Sequence, residues 1–464
     1  MDLDQIIKDK LPLKYGCYSN VFRLIGFDEV PSSRKSGHRI KLKQGYILEA
    51  SSKSLESLPL STYTEEAARL TLDFIDGLFS RGLITPSKAI ATSELYFDRI
   101  GNQLVPKVSF AQLNAVIASS SFRLPTPLNL IRRTKNATIY TKLVVQNIYQ
   151  QKLLDKKDAH LTTFLTPFGK YKFTTLPSGL AGATVAIQEM IDEVIDYPNK
   201  KHVAAYQDSI LVFSQNIFTH NNHVKDILSC FEEYEILLNI NRCEFDVPEV
   251  LFLGYKLRGG VFTINPSKAK EITDAEYPNT KAELKYFLSK VEGWAQFISG
   301  YASKSSSLYH LAYTASFFSW DQEVATDFIC IRNEFSIPRW LQLPNPSLTY
   351  TIDLHFNPIA YSATLLQVDD EKEFILGYFS EQKTNNQLIY SEVDDQAYGV
   401  LLSLENWKDI LNDADEAIRV RADDSHLADL EYNEIVDAHD GSWYNRFKEF
   451  NFHVSPFDDI SYYQ

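Results

Sequence analysis

Cysteine is scarce: Cys17, Cys230, Cys243 and Cys330 are the four in 464 residues, far apart and without metal-ligand spacing. That argues against a disulfide-stapled secreted scaffold and a thiolate metal centre. It reads as reduced, mostly buried thiols of an intracellular protein, cytoplasmic or nuclear. Long apolar runs are lacking too. None approaches the roughly 20 residues of a membrane span. Met1-Asp2-Leu3-Asp4-Gln5 has neither the cationic nor the apolar region of a secretory signal, so no membrane partner is expected. No internal repeat or low-complexity tract is visible. Positive charge is the third shortage. Lys and Arg total 46 against 60 Asp and Glu, for a net charge of −14. Proteins that track nucleic acid ordinarily present Lys and Arg to phosphates, so this balance lowers the expectation of strong binding without excluding a local basic groove. Positive stretches do exist, at Arg34-Lys35 with Arg39, Lys41 and Lys43, and at Arg132-Arg133 with Lys135 and Lys142. Each reads most simply as a solvated charged face.

What is present is the material of a folded protein. Hydrophobic residues make up 44% and aromatics 13%, in a chain long enough for several subdomains. Residues 37–42 read as a short extended arm. Ser61-Thr62 offers a helix cap and Glu65-Glu66 an acidic first turn; Leu70, Leu72, Phe74, Ile75, Leu78 and Phe79 then form an apolar stripe that Gly82 ends. Residues 84–108 alternate as strands of a small sheet, and the prolines of residues 122–127 make a stiff link. A strand running into a helix is expected over 137–149, and more strand over 161–173. A helix over 179–195, a hairpin over 203–214 and a helix over 220–238 follow. A second hairpin spans 252–263, turning at Gly259-Gly260, and residues 282–301 and 305–312 read as helical. Beyond Leu343-Pro344-Asn345-Pro346 the order changes: strands at 348–355, 360–367 and about 374–380, a helix over 392–411, and a strand at 418–422. This is a separate α/β module.

The chemistry concentrates in Ala205-Tyr206-Gln207-Asp208-Ser209-Ile210-Leu211-Val212-Phe213-Ser214, two apolar strands around a turn that carries Asp208. It resembles the metal-binding hairpin of gypsy-type LTR retrotransposon reverse transcriptases, Tyr-x-Asp-Asp-Ile-Leu-x-Phe-Ser, with Ser209 at the second Asp. Other phrases follow in the family's order. Gly82-Leu83-Ile84-Thr85-Pro86-Ser87 resembles the start of the fingers. Thr166-Pro167-Phe168-Gly169-Lys170-Tyr171 and Leu176-Pro177-Ser178-Gly179-Leu180 resemble palm motifs. Cys243-Glu244-Phe245 and Phe252-Leu253-Gly254-Tyr255 resemble the segment that grips the primer. Trp320, Phe328 and Pro338 fall in the connection, and Ser391 to Trp407 is similar to the central helix of an RNase H module. The likeness runs from about residue 20 to about residue 454, beginning after where a protease would end and stopping before an integrase.

That resemblance implies a fold of mixed α+β and α/β type, a right-hand polymerase of fingers, palm and thumb followed by a connection and an RNase H-like domain. The implied divisions are an N-terminal arm at 1–45, fingers and palm at 46–260, thumb and connection at 261–340, and the RNase H-like domain at 341–464. It also implies two Mg²⁺ ions clamped by three Asp carboxylates, since a hard ion needs oxygen donors and the pair stabilises attacking and leaving oxygens together. Aligning Thr-Lys-Leu-Asp-Leu with Thr141-Lys142-Leu143-Val144-Val145 puts Val144 at the first Asp. Asp208 is then the remnant of three, with weak or no metal binding expected. In the nucleotide pocket the Arg that meets the triphosphate becomes Val105, and Asp-Tyr-Arg becomes Ser109-Phe110-Ala111.

RNase H chemistry uses an Asp–Glu–Asp set. The first Asp falls on Asp353, or on His355 if no gap is allowed; two apart on a strand, they share a face. Gln396 takes the Glu position, with Asp394 and Asp395 beside it facing other ways, and Asp423 keeps the last Asp. Nucleic-acid contacts are implied at Gly179, Gln188, Phe252, Leu253 and Gly254. Structural readings stand beside these. Asp208 and Asp423 also suit turns, the Phe252-Leu253-Gly254 phrase also suits strand packing, and His355 and His426 suit ordinary surface or strand positions. The expected protein is a degenerate copy, a pseudoenzyme with weak, salt-sensitive binding of an RNA/DNA template-primer, a scaffold role or none. The alternatives are an active RNA-directed DNA polymerase with RNase H activity, and a structural subunit dimerised with itself or with an active reverse transcriptase.

Overall fold

The computed structural model describes residues 3–23, 37–46, 63–90, 93–101, 103–195, 199–337, 339–422 and 442–456. Arg34, Lys35, Ser61, Thr62, Pro338, Asp423 and His426 lie outside the described residues. The chain divides into two units, residues 1–133 with 137–250, and residues 134–136 with 251–464.

In the first unit, α1 (Leu3–Lys10) precedes α2 (Glu65–Phe79). The cap of α2 is Thr64, whose hydroxyl accepts from the Ala67 N–H, two residues past the expected Ser61-Thr62. Five strands follow in part as a sheet ordered β1-β6-β5-β2-β3: β1 (Ile84–Pro86), β2 (Ser93–Ile100), β3 (Gln103–Ser109), β5 (Phe164–Thr166) and β6 (Gly169–Phe173). Between them lie α3 (Ala111–Val116) and α4 (Pro127–Arg132). Pro127, expected in a stiff link, opens α4 at the position where its missing N–H costs nothing, behind the Thr126 cap.

A second sheet is ordered β7-β8-β4-β9, from β4 (Ile139–Val144), β7 (Val203–Tyr206), β8 (Ser209–Ser214) and β9 (Glu244–Val247). The unbroken run Ile210-Leu211-Val212-Phe213 is buried throughout, as a central strand requires. Helix α5 (Ala183–Val194) packs on β7, and α6 (Ile217–Glu233) on β4 and β8. Helix α6 ends earlier than the expected 238. Glu235 takes a left-handed conformation (φ 52°), and Leu238 leaves to bridge Val145.

The β7–β8 turn is fastened from α5. The buried Gln188 amide accepts from the Gln207 N–H (2.9 Å) and donates to the Ala205 carbonyl (3.1 Å) and to Asp192 (3.2 Å). On the other strand pair, the buried His220 ring of α6 meets Thr141 Oγ1 of β4 (2.8 Å) and Ser214 Oγ of β8 (2.9 Å). Burial outweighs the nearby Asp246 and pulls its pKa from 6.5 down to about 4.

The second unit takes over within β10 (Glu249–Phe252). With β11 (Tyr255–Arg258), β12 (Val261–Ile264) and β13 (Leu341–Gln342) it forms a sheet in that order. Helices α7 (Pro266–Thr273), α8 (Lys281–Glu292), α9 (Tyr301–Lys304), α10 (Ser306–Tyr309) and α11 (Gln322–Glu334) follow. The helix expected over 282–301 is therefore broken. Gly293 caps α8, Gly300 is left-handed, and the Trp294 ring between them packs on Tyr255, with 5.2 Å between ring centroids.

The last module is a sheet ordered β16-β15-β14-β17-β18: β14 (Tyr350–Asn357), β15 (Ala360–Asp369), β16 (Lys372–Gln382), β17 (Ile418–Ala422) and β18 (Phe452–Pro456). Helix α12 (Glu392–Asn406) packs on β14 and β15, its Val400, Leu401 and Leu404 against Ile352, Leu354 and Leu365. It stops at Trp407, which turns into that core, before the short α13 (Lys408–Leu411). The helix α14 (Ser442–Phe447) and the edge strand β18, parallel to β17, have no counterpart in the sequence reading.

Two predictions follow from these fastenings. Replacing Gln188 by Leu strands a buried N–H and a buried carbonyl, so urea unfolding should show a loss of about 1–3 kcal/mol; an unchanged midpoint would mean the turn holds itself. For His220 the folded state resists a proton that the unfolded chain takes up. Stability therefore falls as pH drops from 6.5 to about 4, by about 3 kcal/mol in total from this group. Unfolding midpoints measured across that window should slope less steeply in a His220→Gln variant.

Candidate functional site

The β4–β8 register pairs Val144 with Ser209, and Asp208 stands beside them in the turn, its carbonyl accepting from the Val145 N–H at 2.8 Å. The three positions picked out as carboxylate sites thus converge. Their side chains are an isopropyl group, 2% exposed, a carboxylate and a hydroxyl. Asp208 is held by the chain itself. The Ser209 hydroxyl donates to Oδ1 at 3.2 Å, and Arg242 Nη1 donates to Oδ2 at 3.4 Å across a partly exposed gap. Behind Val144 lies the Cys243 sulfur, receiving its N–H at 3.4 Å; burial pushes that thiol up to about 12, so it offers no thiolate. One carboxylate and one hydroxyl do not fit a pair of hard divalent ions, each wanting about six oxygens.

In front of Asp208 a cavity of about 760 Å³ extends toward β3, between Asn147, Tyr149, Phe110 and Gly179. Its lining joins the hairpin turn to residues 106–110, the stretch where the nucleotide pocket is expected. Phe110, in the Asp-Tyr-Arg position, is buried against Phe173 and contributes no charge. Two cations line this cavity that the sequence reading passed over: Lys107, ion-paired with Asp98 at 2.6 Å, and Arg242. Lys107 lies two residues from Val105 and so on the same strand face, the one signal that could have found it.

The implied nucleic-acid contacts separate on burial. Gly179 is exposed, left-handed (φ 89°), and lines the cavity. Leu253 and Gly254 are half-buried, with left-handed backbones of φ 49° and φ 89°. The other two lie in the interior. Gln188 is buried and its amide is committed to the hairpin, so it positions the turn. Phe252 is 2% exposed, so little of its ring is open at the surface.

In the last module Asp353, 1% exposed, faces away from α12, since its neighbours Ile352 and Leu354 face the helix. Its two oxygens accept from Arg421 Nε and Nη2 at 2.5 and 2.6 Å, the register of β14 and β17 setting Asp353 opposite Arg421. Arg421 Nη1 also donates to Glu373 at 3.0 Å. Asp353 is thus the acid of a buried ion pair, and Arg421 meets both of the oxygens that a metal carboxylate would offer. His355 shares its face and bonds Thr364 Oγ1 at 3.1 Å. On α12, Gln396 is buried and Asp394 accepts from the Ser391 hydroxyl at the helix cap. Asp395 accepts from the Tyr361 hydroxyl (2.8 Å) and from Lys383 Nζ (2.5 Å). Asp353 and the α12 residues therefore lie on opposite faces of one sheet and do not form a common ligand set. Among the described residues no group of three or more His, Cys, Asp or Glu could hold a metal ion, and no helix is long and apolar enough to cross a membrane.

Comparison with known proteins places this geometry. Residues 97–257 match the reverse transcriptase (RNA-dependent DNA polymerase) family, and residues 320–419 the RNase H-like domain found in reverse transcriptase. The Tf2-3 and Tf2-7 transposon polyproteins of Schizosaccharomyces pombe are 25% identical over 404 residues, 86% of this chain and 30% of theirs. The chain spans about a third of the length of these curated relatives. A foamy viral protease-reverse transcriptase in complex with dsDNA has a TM-score of 0.80 at 13% identity, over 100% of this chain and 98% of that one. The same kind of protein with an RNA/DNA hybrid gives 0.77 at 13%, over 99% and 63%. At such identities the likeness is one of fold, and it is the right-hand polymerase with an RNase H-like domain. Residues 97–257 thus match a reverse transcriptase domain and residues 320–419 an RNase H-like domain, in a chain similar over most of its length to transposon polyproteins.

Proposed function

We propose that this chain is a reverse transcriptase/RNase H-like protein that has lost RNA-directed DNA polymerase and RNase H catalysis and keeps the frame of a template-primer binder. The observation that carries the reading is the convergence of Val144, Asp208 and Ser209 at one point of the hairpin. In-line phosphoryl transfer needs two ions to neutralise the charge developing on attacking and leaving oxygens. A single carboxylate already in contact with Arg242 does not hold them, so Mg²⁺ is not bound productively here. The fingers and palm are assigned to residues 46–260 behind an arm at 1–45, the thumb and connection to 261–340, and the RNase H-like domain to 341–464.

Nucleic acid is the partner this frame suits, as the foamy viral relatives of the same fold are seen with dsDNA and an RNA/DNA hybrid. Affinity is expected to be weak and to fall steeply with salt, because a net charge of −14 opposes phosphate. The role left to such a protein is that of a binder or scaffold within the cell.

Primer extension on an RNA template with Mg²⁺ or Mn²⁺, with Asp208→Asn as control, tests the reading. No extension is expected; extension that the control abolishes would overturn it. The Val144→Asp/Ser209→Asp double variant should also stay inactive, since Val105, Ser109 and Ala111 stand where the family's pocket has its charged residues. Synthesis by that variant would show the pocket to be intact.

A further inference from the structure

Asp353 and Asp395 sit on opposite faces of the last module's sheet, and each is closed by a cation of the chain. On one face, Arg421 meets both Asp353 oxygens in a two-pronged contact and spends its remaining nitrogen on Glu373. Its side chain is 9% exposed and that of Asp353 1%. On the other face, the Lys383 side chain, 6% exposed, gives its ammonium to Asp395 and lies 4.9 Å from the centre of the Tyr361 ring, whose hydroxyl takes the second Asp395 oxygen. Tyr361 is itself wedged under α12, where a Cβ on Gly399 would come within 3.3 Å of its ring.

A carboxylate taken out of water is costly unless an opposite charge meets it at hydrogen-bond distance with its lone pairs satisfied. A divalent ion can supply that charge, and so can a guanidinium or an ammonium. We infer that Arg421 is a built-in counter-ion that neutralises the buried Asp353 in place of a bound divalent ion, and that Lys383, with Tyr361, holds the partly exposed Asp395 of α12 against the other face, so that the two pairs fasten the sheet. The bearing on metal rests on the loss of catalysis proposed above; the role of the two cations in holding the sheet does not. The fork of Arg421 is the stronger of the two because its planar geometry matches both carboxylate oxygens at once.

The test is hydrogen–deuterium exchange on the full chain, read in peptides covering residues 350–382 and 418–422. Arg421→Met leaves Asp353 buried and uncompensated, so exchange there should speed up at least tenfold. Arg421→Met/Asp353→Asn removes both charges and should recover much of the protection. Arg421→Lys, which keeps the charge but not the fork, should fall between, and it serves if the methionine variant does not fold. Lys383→Met with and without Asp395→Asn repeats the comparison at α12. Added Mg²⁺ or Mn²⁺ should leave wild-type exchange unchanged. Single and double variants that simply add, or metal-induced protection that Asp353→Asn removes, would overturn the inference. Cleavage of an RNA/DNA hybrid is assayed in parallel. Cleavage by the wild type with the coupling present would sink the loss of catalysis and leave the counter-ion role standing. Absent coupling in an inactive protein would do the reverse.

Discussion

In the sheet ordered β7-β8-β4-β9, β4 and β8 run antiparallel through the middle, pairing Leu143 with Ile210 and Val144 with Ser209, and the run Ile210 to Phe213 is buried on both faces. That hydrophobic register fixes where Val144, Asp208 and Ser209 meet, independently of what those three side chains can do. The frame around that point is polar and local. Gln188 holds the turn from α5, and His220 ties β4 to β8 from α6. Each satisfies buried groups that would otherwise remain without partners, and neither touches the cavity side of the hairpin through Asp208.

Charge is handled differently at the two sites. Asp208 and Arg242 lie near the surface, 3.4 Å apart, where water screens the attraction and such a pair contributes little to stability. Their contact matters for what Asp208 offers to a ligand, since one of its oxygens already faces a guanidinium. Asp353 and Arg421 are buried, and there the balance runs between a large desolvation cost and a close, two-pronged contact that offsets it. The first pair adjusts a site. The second belongs to the framework of a sheet.

Much of this was readable from the residues. The apolar run at Ile210-Leu211-Val212-Phe213, the turn at Asp208, the Gly259-Gly260 hairpin and the succession of three strands, a helix and a strand in the last module all depend on local pattern, and the structure has them where the pattern puts them. The ends of helices were less legible. The cap of α2 is Thr64 rather than its neighbours, α6 stops where Glu235 turns left-handed, and α8 stops so that Trp294 can pack on Tyr255. The last two endings involve partners distant in sequence, Val145 for the chain leaving α6 and Tyr255 for Trp294. Helix α14 and strand β18 went unread for the same reason: their short segments are organised by the sheet edge and core they join.

For the site, the chain alone determined which residue types occupy the hairpin, and with them the shortage of carboxylates, because that is a matter of identity at ordered positions. Only the tertiary structure decided what those residues do. It placed Gln188 and Phe252 in the interior, brought Lys107 and Arg242 to the cavity, and set Asp353 opposite Arg421, 68 residues apart, across two parallel strands. Burial and pairing are properties of surroundings, and a strand carries no local mark of which charge will lie beside it once its sheet has formed.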